Sequence, residues 1–531
     1  MDRRNFLKVA GASGAAATMA PWQAATARPK KPRRIEPANP TAPMTLPFRG
    51  AKTALVIGAG LGGLSAALEL AERGYAVKIR EASDVIGGRL ATRTMTTQAG
   101  TFNVEHGLHM WFHNYHNFRD IQKRLGIDDQ FRPYDDVHFR FRDYKDEILK
   151  SEPPVYPLNL IALLERSPNF NFFSAFRMLR LLPAVAGYDH DTIYERLDNT
   201  TFENWAENRV SKKFYDIIMQ PAASVTLNDP ERVSAAEMIL YMHLYFMGDP
   251  RAMNRTVCNV DHATGCINPW VRYLSDLGVR IETNSPVEGL RVQDGRVIGT
   301  TDDAADYDWV VMATSIPGLK TIFSRTTSSD FVSDAAVRSI NERIAQLKVA
   351  QPYQVVRVWY DRQPSSDVSD VLETPQHKPI NLLAQFHLLE EESRAWAEQT
   401  GGAIIEYHVY ANDETASMTD AEILDHLRPV IHELMPELAD ATVLDYTVGR
   451  YHDFPSFEVG QGSIRPTAAY PAEVGLTNLT FAGDWLHTNY PSALMERAVS
   501  TGREAANHIL LADGVRQAPM TVTSSQGPGI I

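Results

Sequence analysis

The sequence predicts an α/β fold containing a Rossmann-like dinucleotide-binding domain. Two stretches carry that expectation. Near the start, "KTALVIGAGLGGLSAALELAERGYAVKIREAS", residues 52–83, reads as strand, glycine turn, helix and second strand in one unit. Near the end, "NLTFAGDWLHTNYPSALMERAVSTGREAANHIL", residues 478–510, reads as an apolar strand closed by Gly483 and Asp484, then an amphipathic helix over about 492–511.

The chain opens with Arg3 and Arg4 before the apolar Phe6 and Leu7, continues through a small-residue run and reaches Ala25-Thr26-Ala27. Charged, apolar and cleavable regions in that order mark a signal peptide over 1–27. The Arg-Arg-x-Phe-Leu-Lys pattern resembles the twin-arginine export signal of bacteria. The resemblance implies handling by the twin-arginine translocase, which carries folded proteins, and a periplasmic or other extracytoplasmic location. Residues 28–50 are rich in proline and basic residues and read as a linker. Residues 516–531 read as a flexible tail. Beyond the signal no stretch approaches the ~20 apolar residues that span a bilayer.

The totals bound the rest. A chain of 531 residues suits two or three domains. Its hydrophobic content of 44% supplies ample core. A net charge of −13 argues against a nucleic-acid partner. Two cysteines, Cys258 and Cys266, are too few for a disulfide framework or a multi-cysteine metal site; they read as buried or free thiols, with a single disulfide as the lesser alternative.

Each part of the first motif has a physical role. Ala54 to Ile57 form a buried parallel strand. Gly58 allows the tight turn, Gly60 lets backbone approach a pyrophosphate, and Gly63, next to Gly62, lets helix and strand pack closely. The helix N-terminus then offers free N–H groups and a favourable dipole to phosphate. Glu81, followed by Ala82, ends the second strand where a carboxylate accepts hydrogen bonds from ribose hydroxyls.

"DVIGGRLAT", with Gly87, Gly88 and Arg89, follows directly and resembles the second half of the FAD fingerprint in the amine oxidase and phytoene desaturase superfamily. The resemblance implies FAD as cofactor. It also implies that Gly483 and Asp484 bind near the ribityl and pyrophosphate groups, and that the helix turn at Met495 faces the flavin. The FAD domain is then built from both chain ends, with an α+β substrate domain inserted between them. The implied boundaries are 51–150 for the first FAD part and 151–305 for a substrate/helical region that returns to the FAD domain. A short FAD segment covers 306–325, a substrate sheet 326–450, and the second FAD part 451–515.

"VEHGLHMWFHNYHNFRDIQKRLGI", from Val104, resembles the plant-type carotenoid desaturases at Gly107, Leu108, His109, Phe112, Tyr115, Asn117 and Arg119. "VQDGRV" reads as a hairpin around Asp294-Gly295, and "PYQVVRVWYDR" resembles a desaturase substrate-domain strand. The implied reaction is desaturation of a polyene or isoprenoid, with hydride passing to flavin N5 and quinone or oxygen as final acceptor. His109, Arg119 and His487 are the candidate catalytic residues.

Two other readings stand beside this one. A flavin amine oxidase would use oxygen, with Lys320 or Lys348 near N5 and Trp485 and Tyr490 as a cage. A non-catalytic FAD-bearing binding protein is the other. The apolar, basic-studded stretch 160–187 reads either as a peripheral membrane patch or as a core helix pair. His106, His109, His113 and His116 recur at spacings that share one face if helical. No metal is expected there, because the Gly-Leu-His portion reads as extended. His113 and His116 read as ordinary helix positions.

Overall fold

The apolar run ahead of the first glycine turn forms the centre of a five-stranded parallel sheet in the computed structural model, which describes residues 31–150, 166–170, 187–207, 209–249, 251–364 and 367–527. Five strands make it up: β1 (Thr53–Ile57), β2 (Ala76–Arg80), β3 (Arg280–Glu282), β4 (Trp309–Met312) and β5 (Leu479–Phe481). Their spatial order is β3-β2-β1-β4-β5, with every neighbouring pair parallel. The sheet therefore draws strands from both ends and the middle of the chain. Val310, Val311 and Met312 of β4 are all buried, as a strand covered on both faces requires.

Helix α1 (Leu61–Glu72) is buried along nearly its whole length. It is enclosed because α2 (Leu494–Ala512) lies against its outer side. A Cβ on Gly502 of α2 would run into the carbonyl of Gly62. Glycine at both positions brings the two helices, over 400 residues apart in sequence, into backbone contact.

A second sheet of seven strands forms the inserted unit. Its order is Val443–Tyr451, Tyr353–Tyr360, Ala403–Val409, Leu382–Gln385, Val371–Glu373, Val137–Phe139 and Glu147–Leu149. All pairs are antiparallel except Val371–Glu373 with Val137–Phe139. Two strands of this sheet thus lie within residues 51–150, and β3 of the parallel sheet lies within 151–305, the stretch expected to return to the FAD domain. Strands of three residues carry too short a pattern to reveal which sheet they join. The hairpin expected at Asp294-Gly295 forms, with both residues at positive φ.

Three further segments differ from expectation. Arg33–Ile35, in the expected linker, pairs antiparallel with Met520–Val522, in the expected tail. Met520 and Val522 pack with Tyr490 in a small apolar cluster, and Asn117 Nδ2 donates to the Thr521 carbonyl at 3.0 Å. The helix that follows the histidine stripe begins only at His116, so His113 lies in the preceding turn. The signal peptide and most of the 160–187 stretch lie outside the described residues. Among the described residues no helix is long and apolar enough to cross a membrane.

Candidate active site

One continuous cavity of about 790 Å³ runs from the glycine turn into the inserted unit. At the turn, Gly58 adopts φ +106°, and a Cβ there would sit 2.5 Å from the Ala313 carbonyl oxygen. Only glycine fits. A Cβ on Gly63 would run into the Gly58 carbonyl, so Gly63 packs beneath the cavity rather than lining it. Gly60 and Gly88 approach backbone to backbone, which joins the glycine turn to the Gly87-Gly88-Arg89 segment. No side chain caps the N-terminus of α1, and Leu61 and Gly62 of its first turn line the cavity.

Glu81 is fixed at the same end. Its two carboxylate oxygens accept from Ala59 N at 2.7 Å and Ser83 N at 2.8 Å. Thr314 lines the cavity with its buried hydroxyl unpartnered.

Arg89 closes the two chain ends together. Its Nη2 donates to both Asp484 oxygens at 2.7 Å, while its guanidinium lies over Phe454 at 4.9 Å. Burial works against the Arg89 charge, but Asp484 and Asp453 hold its pKa above the ordinary arginine range. Gly483, Asp484 and Met495 line this middle section, where Leu494 enters α2 at φ +52°. The N-terminus of α2 is also without a side-chain cap. Gly58, Gly60, Gly62, Glu81, Ala82, Gly87, Gly88 and Arg89 all line the cavity as well. The unfilled glycine cradle, the two uncapped helix ends and the orphaned Thr314 hydroxyl fit an elongated dinucleotide with its pyrophosphate at α1.

Beyond Arg89 the walls become apolar and aromatic, with Met238, Tyr241, Met242, Phe246, Val371 and Leu382. His106 and His109 enter here. Burial, with His262 beside it, pushes His109 down to about 4, and its buried Nδ1 has no partner. His109 is thus a neutral imidazole on the wall. The His262 ring is 5.5 Å away. Trp111 Nε1 donates to His262 Nε2 at 3.1 Å, and His262 Nδ1 meets Glu105 Oε1 at 2.7 Å. Indole N–H can only donate, so His262 Nε2 accepts from Trp111 and its Nδ1 donates to Glu105.

The structure does not bring the other two catalytic candidates to the cavity. Arg119 donates to the Trp111 carbonyl, Thr256 Oγ1 and Gln122 Oε1, tying its helix to the strand pair behind the wall. His487 packs 6.1 Å from His190 and 5.6 Å from Tyr194, ring to ring, in a separate buried cluster, and burial pushes it to about 4. The amine-oxidase residues are elsewhere too. Lys320 Nζ donates to the Leu347 carbonyl at 2.6 Å, and Lys348 pairs with Glu458 at the surface. Trp485 Nε1 is held by the Thr314 carbonyl, and neither Trp485 nor Tyr490 lines the cavity. Among the described residues no group of three or more metal-ligating side chains assembles. Cys258 and Cys266 are both buried and free.

Several polar residues of the cavity escape a sequence reading: Glu373, Arg255, Tyr353, His408 and Tyr410. The last two were visible in principle, because "IIEYHVY" places Glu406, His408 and Tyr410 at alternate positions of an otherwise apolar strand.

Comparison with known proteins agrees with this geometry. Residues 61–510 match the family model for flavin containing amine oxidoreductase, and residues 1–20 match the twin-arginine translocation signal. The chain therefore carries a twin-arginine export signal. It is 30% identical to a carotenoid phi-ring synthase of Streptomyces griseus, covering 87% of this chain and 88% of that protein. It is 24% identical to the 15-cis-phytoene desaturase of Arabidopsis thaliana, covering 89% and 83%. A solved structure of putrescine oxidase superposes with a TM-score of 0.63 at 16% identity, covering 87% of this chain and 99% of that one. The chain belongs to the flavin-containing amine oxidoreductase family and is a desaturase-like, FAD-dependent oxidoreductase.

Proposed function

We propose that the enzyme dehydrogenates a carotenoid, and that the ring-bearing end of the carotenoid is what it draws into the inserted unit. The observation that carries this reading is the continuity of the cavity, from a dinucleotide cradle into a largely apolar chamber with no lysine among the described residues of its wall. A hydrocarbon end fits such walls, whereas an amine would enter against the cost of desolvating its charge. The ring end is favoured over an open chain because the phi-ring synthase relative is the more similar of the two carotenoid relatives compared.

In this reading the bound FAD supplies hydride acceptance. Gly58, Gly60, Gly62, Gly87 and Gly88 admit its pyrophosphate, Glu81 and Ala82 meet its adenosine ribose, and Gly483, Asp484 and Met495 border the flavin, with Arg89 fixing Asp484. Gly63 holds the turn from beneath. His109 forms a neutral wall beside the reacting carbons. Arg119 and His487 act at most through the packing of that wall. Quinone or oxygen takes the electrons onward. Ile148 and Val225 line the cavity and are substantially exposed, which supports a mouth at the membrane periphery on the extracytoplasmic side.

Anaerobic reduction of the FAD-loaded protein tests this. β-Carotene, 15-cis-phytoene, a sterol precursor and putrescine are offered in turn, and flavin absorbance is followed. Bleaching by a carotenoid is the expected result. Bleaching by putrescine alone returns the enzyme to the amine oxidases.

A further inference from the structure

Removing two hydrogens from a hydrocarbon releases a proton as well as a hydride. Inside an apolar cavity that proton needs a base already in place. Three imidazoles line the cavity: His106, His109 and His408. His106 stacks on Tyr451 and reaches Tyr353 Oη only at 3.4 Å, and His109 Nδ1 is unpartnered. Neither has a carboxylate on its second nitrogen. His408 does. Its Nε2 lies 2.8 Å from Glu406 Oε1, and its Nδ1 lies 2.8 Å from Tyr410 Oη.

The direction of these bonds follows from the partners. Arg357 sits opposite Glu406 in the antiparallel pair and donates to Glu406 Oε2 from Nε at 3.0 Å. A second guanidinium nitrogen, Nη2, lies at 3.0 Å from the same oxygen. Burial favours the neutral acid, but Arg357 and His408 hold Glu406 below the ordinary carboxylate range. An ionised carboxylate only accepts, so His408 Nε2 donates to it. In neutral His408 the Nδ1 lone pair is then free and accepts from the Tyr410 hydroxyl. Val355 and Leu382, the strand neighbours of His408, both line the cavity. Across from it, a Cβ on Gly107 would lie 3.0 Å from His408 Cε1, which places the relay against the segment that carries His109.

We propose that Tyr410 and His408 are the proton acceptor of the dehydrogenation, positioned by Glu406 and Arg357. This rests on the carotenoid reading above. The substrate C–H electron pair becomes the new double bond as the neighbouring carbon gives up its hydride to the bound cofactor. The freed proton goes to Tyr410 Oη while Tyr410 passes its own proton to His408 Nδ1. The resulting imidazolium faces the Glu406 carboxylate.

The test compares wild type with Tyr410→Phe and His408→Gln, each loaded with FAD and mixed anaerobically with β-carotene and, separately, 15-cis-phytoene. Both variants are expected to bind FAD and carotenoid as wild type does and to bleach the flavin ~10²- to 10⁴-fold more slowly, the range of general acid–base catalysis. A substrate-free measurement accompanies it. Nitrogen NMR of ¹⁵N-histidine-labelled protein is expected to show His408 protonated on Nε2, with Tyr410→Phe shifting the Nδ1 resonance. Wild-type rates in both variants, or a His408 protonated on Nδ1, overturn the proposal while leaving the carotenoid reading intact. A wild type that neither carotenoid bleaches overturns both.

Discussion

Glu373 offers a perturbation whose size can be worked from the structure. It ends the strand Val371–Glu373, lines the cavity and is 5% exposed. Its compensating charge is Arg255, whose own N–H groups are engaged by the carbonyls of Met253, Asp135 and Leu149. Burial therefore dominates and lifts the carboxyl from 4.5 to about 8. Between those values the unfolded chain has lost this proton and the folded chain still holds it. Unfolding then releases a proton, so stability is highest below pH 4.5 and falls as pH rises toward 8. At 1.36 kcal/mol per pH unit the loss across the window is about 5 kcal/mol. Glu373→Gln keeps the shape and removes the proton. The assay is urea unfolding of the FAD-loaded protein, wild type and variant, at half-unit steps from pH 4.5 to 8.5. The wild-type-minus-variant stability is expected to drop by about 5 kcal/mol over that span, with the variant ahead at the alkaline end. Two parallel profiles would refute the reasoning.

Three further outcomes follow from the site. Gly63→Ala forces a methyl into the Gly58 carbonyl; overpacking of about 1–3 kcal/mol should appear as ~10- to 100-fold weaker FAD binding by fluorescence titration. Arg89→Ala leaves Asp484, 5% exposed, without its partner; the loss of about 3–5 kcal/mol typical of a broken buried pair should lower the melting temperature and release FAD on gel filtration. Because His109 is held at about 4, it stays neutral through the physiological range and gains a proton only as pH falls toward 4. The pH profile of flavin reduction should therefore keep its shape between pH 5.5 and 8 in His109→Gln, whatever happens to the absolute rate, and a limb in that range that disappears with the imidazole would contradict the assignment.

The cradle was legible because its parts are local. Gly58, Gly60, Gly63 and Glu81 act within one strand–helix–strand unit, and each residue type has a steric or electrostatic reason to be there. The Arg89–Asp484 pair joins positions 395 residues apart; no periodicity announces it, and only the resemblance pointed to both partners. The chamber was the harder half. Arg119 and His487 stand near motifs in sequence, yet Arg119 turns back to the Trp111 carbonyl and His487 toward His190. Glu406, His408 and Tyr410 do alternate, but their strand is buried on both faces, so the pattern alone does not say which face meets the cavity. Glu373 was hidden for a related reason. Its strand of three residues acquires a face only when Val137–Phe139 and Leu382–Gln385 pair on either side.

The pairing of Arg33–Ile35 with Met520–Val522 bears on how the protein is exported. The export signal at residues 1–20 is followed by a stretch of backbone whose partner strand lies almost 500 residues further along the chain. Until translation has passed Val522, that stretch has no edge to bind. A chain broken off anywhere in the half that closes the cofactor site would therefore also lack the strand that pairs with Arg33–Ile35. Folding of the segment around Val522 is thereby coupled to Arg33–Ile35, close in sequence to the address that a transport system for folded cargo reads.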